Sequence, residues 1–290
     1  MLTGMLGVGR SRVGGMPKEL KLMLKHLVIS PRSGLGNRLR AIASARRLCD
    51  LCGARCTVHW TWGNFEDFFS MDGSLDWTPV ISAYKKNYRF FKLLITNRGG
   101  TPENRRVWIS KYQGIIVDSC HIFNSFEENK LISYRDLQPW LMRPAEPIQA
   151  AVRSFATRMF TRTVGMHMRR TDNAVAKTDS PDDLFFAEAE SVIQRGYNIF
   201  LATDDRDTAA KMLDRFPGKI ITYPKKVELE RRWPRPSFDF DATVDDLIEM
   251  HLLAACEFVV GCTSSSYTTM ARLYNGSPEC KTIKRESHDI

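Results

Sequence analysis

Three runs of polar residues hold the side chains best suited to binding an anionic ligand and acting on it. His167-Met168-Arg169-Arg170-Thr171-Asp172 pairs two guanidinium groups, which are permanently charged and grip phosphate oxygens through two N–H donors at once. Two readings fit: a diphosphate site, or a surface pair tied to Asp172. Leu201-Ala202-Thr203-Asp204-Asp205 ends in adjacent carboxylates. These suit a metal, proton transfer or a substrate hydroxyl, and they equally suit the N-terminus of a helix starting near Arg206. Thr263-Ser264-Ser265-Ser266 gathers hydroxyls where a helix begins, and the free backbone N–H groups of a helix start make an anion site. A plain N-cap accounts for one of these serines but not for the run.

Two further groups bear on the same chemistry. Asp246 stands three residues after Thr243, the spacing of a capping-box acid. Glu249 lies a turn further in, on the side of Leu252 and Leu253. There it is either a half-buried acid or an acceptor of two hydrogen bonds from a guanine edge. Near the N-terminus, Gly34-Leu35-Gly36-Asn37 is flanked by Arg32, Arg38 and Arg40. The loop lacks the third glycine and downstream acid of a dinucleotide fingerprint, and the Gly-Lys-Ser/Thr of a phosphate loop. Its value is to place a cluster of positive charge beside a Gly-rich turn.

The elements that must position these groups follow from periodicity. Leu22 to Ser30 reads as a buried strand, Arg38 to Cys52 as a helix stopped by Gly53, and Cys56 to Trp60 as the next strand. From Thr61 to about Gln138 the signals weaken, with strand candidates at Arg106 to Ser110 and Gly114 to Asp118. Pro139, Pro144 and Pro147 then mark an expected interdomain linker. Beyond it, strands at Thr163 to Arg169, Asn198 to Thr203, Lys219 to Tyr223, Phe258 to Cys262 and Lys281 to Lys284 alternate with helices. The helices are expected at Ile148 to Phe160, Pro181 to Arg195, Arg206 to Phe216, Val244 to Cys256 and Ser265 to Tyr274. Strict alternation with short connections predicts an α/β fold with parallel sheets, which bind ligands at the carboxyl ends of their strands. All three polar runs stand at such ends. The expected division is a loose extension over 1–20, an N-terminal domain over 21–143 and a C-terminal domain over 144–290.

Composition narrows the function. With 43% hydrophobic and 26% charged residues over 290 positions, the chain has the make-up of a water-soluble globular protein. The net charge is +9, and residues 1–50 alone hold ten basic residues against Glu19 and Asp50. So confined a charge disfavours a nucleic-acid track, which needs basic residues spread along its length. No run reaches the roughly 18–20 apolar residues of a membrane span, and no signal-peptide core is present. The expected location is cytoplasmic, or the Golgi lumen if the sequence is a fragment of a longer chain. Seven cysteines cannot all pair. Cys49, Cys52 and Cys56 have the look of a metal knuckle, but no further ligand pair follows, and they read as small buried side chains.

In order and approximate spacing, His167 to Asp172, Leu201 to Asp205 and Asp246 to Ser265 resemble the three motifs of the alpha-1,6-fucosyltransferases. That group includes the eukaryotic core and rhizobial nodulation enzymes and is related more distantly to the protein O-fucosyltransferases. The resemblance spans roughly residues 160–275, and the Gly34-x-Gly36-Asn37 loop is similar to that of the wider superfamily.

The resemblance implies a GT-B-like fold, two Rossmann-like domains whose parallel sheets face a cleft. It also implies an inverting, metal-independent transfer of L-fucose from GDP-fucose to a glycan hydroxyl, with no cofactor. Arg169 would grip the β-phosphate of the leaving GDP, with Arg170 beside it. His167 and Glu249 would contact guanine, Ser264 and Ser265 the diphosphate, and Asp204 and Asp205 the donor site. Gly34, Gly36, Asn37 and Arg38 would line the facing wall. In core fucosyltransferases the loop after Asp172 continues with Lys and, four residues later, the Glu proposed as base; Asn173 and Lys177 stand there instead. Asp172, the expected catalytic partner of Arg169, and Asp179 are the nearest carboxylates. Rival readings are a GDP-sugar transferase for another sugar, a non-catalytic GDP-sugar or glycan-binding module, and a metal-dependent transferase using Asp239-Phe240-Asp241 as a loop.

Overall fold

The structure, a computed structural model, describes residues 24–81, 91–95, 106–107, 111–125, 128, 131–159, 161–171, 173–225 and 239–285. The expected N-terminal extension over 1–20 and Asp172 lie outside the described residues.

The first half opens with β1 (His26–Pro31), α1 (Leu35–Cys52) and β2 (Arg55–His59), followed by β3 (Asp76–Thr78), β4 (Phe91–Ile95), β5 (Arg106–Val107), β6 (Gly114–Ser119) and β7 (Asn124–Ser125). β1 carries the apolar run Leu27-Val28-Ile29 and is buried from Leu27 to Pro31, because both of its faces are covered, and α1 closes where Gly53 takes up a left-handed conformation (φ 63°). The sheet order is β3-β2-β1-β6-β4, all parallel, with Leu27 opposite Cys56 on one side and Ile115 on the other.

The second half comprises α2 (Glu146–Met159), β8 (Thr163–Met168), α3 (Ala174–Asp179), α4 (Asp182–Gln194), β9 (Asn198–Thr203) and α5 (Arg206–Arg215). It continues with β10 (Ile220–Ile221), α6 (Phe240–Ala255), β11 (Val259–Cys262), α7 (Ser266–Asn275) and β12 (Lys281–Ile283). Its strand order is β10-β9-β8-β11-β12, again parallel. The order turns back on itself at β8, and ligands of open parallel sheets bind outside strand ends at such a switch.

One expectation is corrected. α6 starts at Phe240, a turn before Val244, because the Asp239 carboxylate caps it by accepting the N–H of Ala242 at 2.8 Å. Asp239-Phe240-Asp241 is therefore a cap and first turn rather than a loop, and Asp246 is not the acid of a capping box. The Pro-rich segment expected as a linker is tied down. Ser70 N–H donates to the Arg143 carbonyl at 2.9 Å, Ala145 N–H to that of Phe68 at 2.9 Å, and Phe69 and Pro144 form an antiparallel bridge.

One continuous apolar cluster runs between the sheets, joining Leu27, Trp60 and Ile115 of the first half to Phe200, Leu252 and Met270 of the second. A second cluster, with Val164, Phe185, Ile199 and Met212, fills the far side of the second sheet. Of the three cysteines expected to be buried, Cys49 and Cys56 are and Cys52 is only partly so, and contact with the Cys56 thiol together with burial pushes the Cys49 thiol up. Among the described residues no group of three or more His, Cys, Asp or Glu could hold a metal ion, and no helix is long and apolar enough to cross a membrane.

Candidate functional site

A cavity of about 550 Å³ opens where the carboxyl ends of β1, β8 and β9 meet the starts of α1 and α7. Its floor is made by two helix N-termini in contact. Gly36, in the first turn of α1, lies so close to α7 that a β-carbon on it would stand 2.6 Å from the Ser266 carbonyl carbon and 2.7 Å from the Tyr267 nitrogen. The glycine at position 36 is thus explained by packing of backbone on backbone. Each helix is entered through a serine in the left-handed region, Ser33 at φ 67° and Ser264 at φ 56°. Non-glycine residues are uncommon there, and such strain gathers at ligand-binding turns. Two first turns, each with N–H groups lacking intrahelical acceptors and each at the positive end of a helix dipole, favour an anion between them.

Arg169 enters this space from the end of β8, with its side chain 15% exposed. Asp204, at the end of β9, holds it: Oδ2 lies 2.8 Å from Arg169 Nη1 and accepts the Thr171 hydroxyl at 2.6 Å, while Oδ1 accepts the Arg170 N–H at 2.7 Å. Burial opposes ionisation of Asp204, but Arg169 and the Thr171 and Arg170 donors outweigh it and hold the carboxyl below its ordinary range.

His167 is buried beside Arg169. Its Nδ1 is 2.6 Å from the Thr268 hydroxyl, and its ring lies 4.9 Å from that of Tyr267. Burial pushes its pKa down to about 3, so the imidazole is neutral and able to offer a hydrogen bond without a charge. Glu249 reaches the cavity from α6, where Lys225 Nζ stands 3.0 Å from its Oε2. The Tyr267 hydroxyl donates to the Asp246 carbonyl at 2.6 Å, closing this end.

Of the residues expected at the site, Gly34, Gly36, Asn37, His167, Arg169, Asp204, Glu249, Ser264 and Ser265 line the cavity. Within this set Ser265 serves as the α7 N-cap, its hydroxyl accepting the Thr268 N–H at 3.3 Å.

Three others do not line it. Arg170 turns to the opposite side, donating to Asp182 at 2.6 Å, the Ser180 carbonyl at 2.9 Å and the Arg169 carbonyl at 3.0 Å. Arg38 is buried, bonded to the Ser33 and Pro31 carbonyls at 2.9 and 2.8 Å, with its guanidinium 3.8 Å from the Trp62 ring centre. Asp205 caps α5, accepting the Thr208 N–H at 2.8 Å. The adjacent acids thus divide the two roles open to them, Asp204 facing the cavity and Asp205 ending a helix. The flanking arginines divide likewise: Arg32 pairs with Asp118 at 2.7 Å, whereas Arg40 lines the cavity with Tyr134, whose hydroxyl accepts from it.

Sequence reasoning missed Lys225, Tyr134, Asp246 and Asn173 as cavity residues. Asn173 carried a signal, since it directly follows the arginine run; its side chain caps α3 and donates to the Ser264 carbonyl at 3.2 Å. Lys177 lies in α3 and Asp179 ends it, and neither lines the cavity.

Two parallel α/β sheets with a polar cavity at their strand ends give the chain the α/β fold seen in solved GT-B fucosyltransferases. By sequence, no protein-family model and no curated protein matches it. Solved structures do. The NodZ alpha-1,6-fucosyltransferase co-crystallised with GDP matches with a TM-score of 0.58 at 16% identity, over 86% of this chain and 92% of that one. A variant of Arabidopsis thaliana FUT1 in complex with GDP gives 0.62 at 14% identity, over 89% of this chain and 69% of that one. POFUT1 in complex with GDP gives 0.57 at 11% identity, over 91% and 99%. At such identities the likeness establishes the fold.

Proposed function

We propose that this protein is a glycosyltransferase that moves L-fucose from GDP-fucose to a hydroxyl of a glycan, with inversion and without a metal ion. The observation that carries this reading is the pair of helix starts meeting at Gly36 and Ser266, with Arg169 above them, on a fold shared with fucosyltransferases solved with GDP.

The diphosphate would lie over the two N-termini. Arg169 and the helix dipoles would take up the charge that develops on the β-phosphate oxygen as its bond to fucose C1 breaks, the task a divalent cation performs elsewhere. Neutral His167 and the Glu249 carboxylate would meet guanine, the carboxylate accepting its two adjacent N–H donors. The acceptor hydroxyl oxygen attacks C1, GDP leaves with the bonding electron pair, and the hydroxyl proton passes to a base. Asp172 is our candidate, because its neighbour Asn173 lines the cavity. Residues 21–143, which bring Arg40 and Tyr134, would form the acceptor domain, and residues 144–290 the donor domain.

Lys177, standing where core fucosyltransferases carry a glutamate, favours a second reading: a module that binds a GDP-sugar without transferring it. Thermal shifts with GDP, GDP-fucose, GDP-mannose and UDP-sugars, followed by an assay of GDP release with and without EDTA, separate the possibilities. The transferase reading expects a shift with GDP-fucose but not with UDP-sugars, and EDTA-insensitive transfer that is lost in Asp172→Asn. Binding without turnover, given a panel of glycan acceptors, supports the module. Preference for GDP-mannose changes the sugar, and no response to any GDP-nucleotide ends both readings.

A further inference from the structure

We propose that Lys225 sets the base selectivity of this cavity by pairing with the Glu249 carboxylate and fixing its orientation toward the ligand. The inference rests on reading the cavity as a GDP site and adds a residue that neither the arginine nor the serine motif contains.

The geometry locks three elements together. Lys225 Nζ is 3.0 Å from Glu249 Oε2, on α6, and donates to the Thr203 carbonyl at the end of β9 at 3.2 Å. The side chains of Lys225 and Glu249 are 19% and 6% exposed, and both line the cavity. An ammonium fixed on one side by a main-chain carbonyl has little freedom, so it fixes the orientation of the carboxylate it meets.

A buried carboxylate without a partner takes up a proton rather than bear the cost of desolvation. Protonation would change what the group recognises. An ionised carboxylate is an acceptor only, and it suits guanine, which offers N1–H and the 2-amino group side by side. A protonated one also donates, and it suits adenine, whose N1 accepts while its 6-amino group donates. Hypoxanthine keeps N1–H and lacks the 2-amino group. One lysine therefore decides which purine edge fits.

Other titratable and charged groups also stand near Glu249. Asp245 and Asp246 share its helix, and their charges favour protonation, as does the loss of water. Tyr223 is neutral, its phenol pushed up by burial and by the charges of Asp245 and Glu249. His167 is neutral, and Arg169 is already engaged with Asp204. Lys225 is a cation bonded to Glu249, so it opposes that protonation directly.

Calorimetric binding of GDP, IDP and ADP to the full chain, at about pH 6 and about pH 8, tests this with Lys225→Met and Lys225→Arg. The wild type should prefer GDP over IDP at both values. Lys225→Met should weaken GDP at least about tenfold, narrow the GDP-to-IDP ratio and make GDP binding fall toward the lower pH, while Lys225→Arg restores most of the preference. If Lys225→Met does not fold, the double variant Lys225→Met/Glu249→Gln, which removes both charges, should bind GDP and IDP nearly alike. Equal losses of GDP and IDP at both pH values would put Lys225 on the diphosphate and overturn the proposal. So would an unchanged GDP-to-IDP ratio in either variant. A wild-type chain that binds no GDP defeats the underlying reading of the cavity, and this inference with it.

Discussion

The Asp204 carboxylate holds the Arg169 guanidinium at 2.8 Å while it also receives the Arg170 backbone N–H, so one acid fixes both the side chain that enters the cavity and the turn that delivers it. Arg169 is oriented before any ligand arrives. Under the proposed reading, an arriving diphosphate would find a cation already aimed, and the reorganisation that would otherwise slow charge stabilisation would be small.

Arg169→Lys should therefore lower turnover by about 10²–10³ while leaving the melting temperature near that of the wild type. Full activity in that variant would remove Arg169 from the mechanism. Arg170→Lys should do the reverse. It loses a fork bonded to Asp182, Ser180 and Arg169, so stability should drop while nucleotide affinity changes little. The pair of variants, measured for melting and for GDP binding, separates two neighbours that composition alone treats as equal.

Gly36→Ala places a methyl group 2.6 Å from the Ser266 main chain, where no side chain can turn aside. The starts of α1 and α7 must part, costing about 1–3 kcal/mol and weakening anion binding. Gly53→Ala is the control: it strains a left-handed residue at the far end of α1 and meets no neighbour, so it should cost stability and leave nucleotide binding intact. Nucleotide affinity of the Gly36 variant equal to that of the Gly53 variant would remove the helix starts from the site.

Acid should destabilise the fold well before its carboxylates titrate. Burial holds His167 at a pKa of about 3 and His251 at about 4, against 6.5 for an unfolded histidine. Both are neutral in the fold, whereas the unfolded chain takes up protons as pH falls through about 6.5. Stability is thus fully present above that value and declines toward pH 4. Urea midpoints at about pH 7.5 and about pH 5 should differ, and His251→Phe should reduce the difference. Identical midpoints would contradict the burial of both rings.

Much of the second half was legible because β8 to β11 each carry a short apolar run between turn residues, and each polar motif follows one. The start of α6 was not, because Thr243 and Asp246 imitate a capping box inside a helix that Asp239 already caps. Which of two adjacent residues faces the cavity was legible in principle. Successive side chains at a strand end point to opposite sides, so Arg169 with Arg170, and Asp204 with Asp205, had to part company. Lys225 carried no such signal. It follows the short strand β10, and only the fold brings it to Glu249. In the first half, aromatic residues from Trp60 to Trp77 obscure periodicity because they pack on one another, Trp60 against Phe65, Phe68 and Phe69, rather than along one face of an element.

The apolar cluster shared by Trp60 and Leu27 on one side and Leu252 and Met270 on the other has a mechanical consequence. Swinging the sheets apart like the covers of a book would expose that shared surface to water, at roughly 25 cal/mol for each Å². The halves are expected to melt together in one cooperative transition, and either half expressed alone would present the other's seat as a sticky face. The boundary between the halves is then less a hinge than a seam, closed from the moment the chain folds.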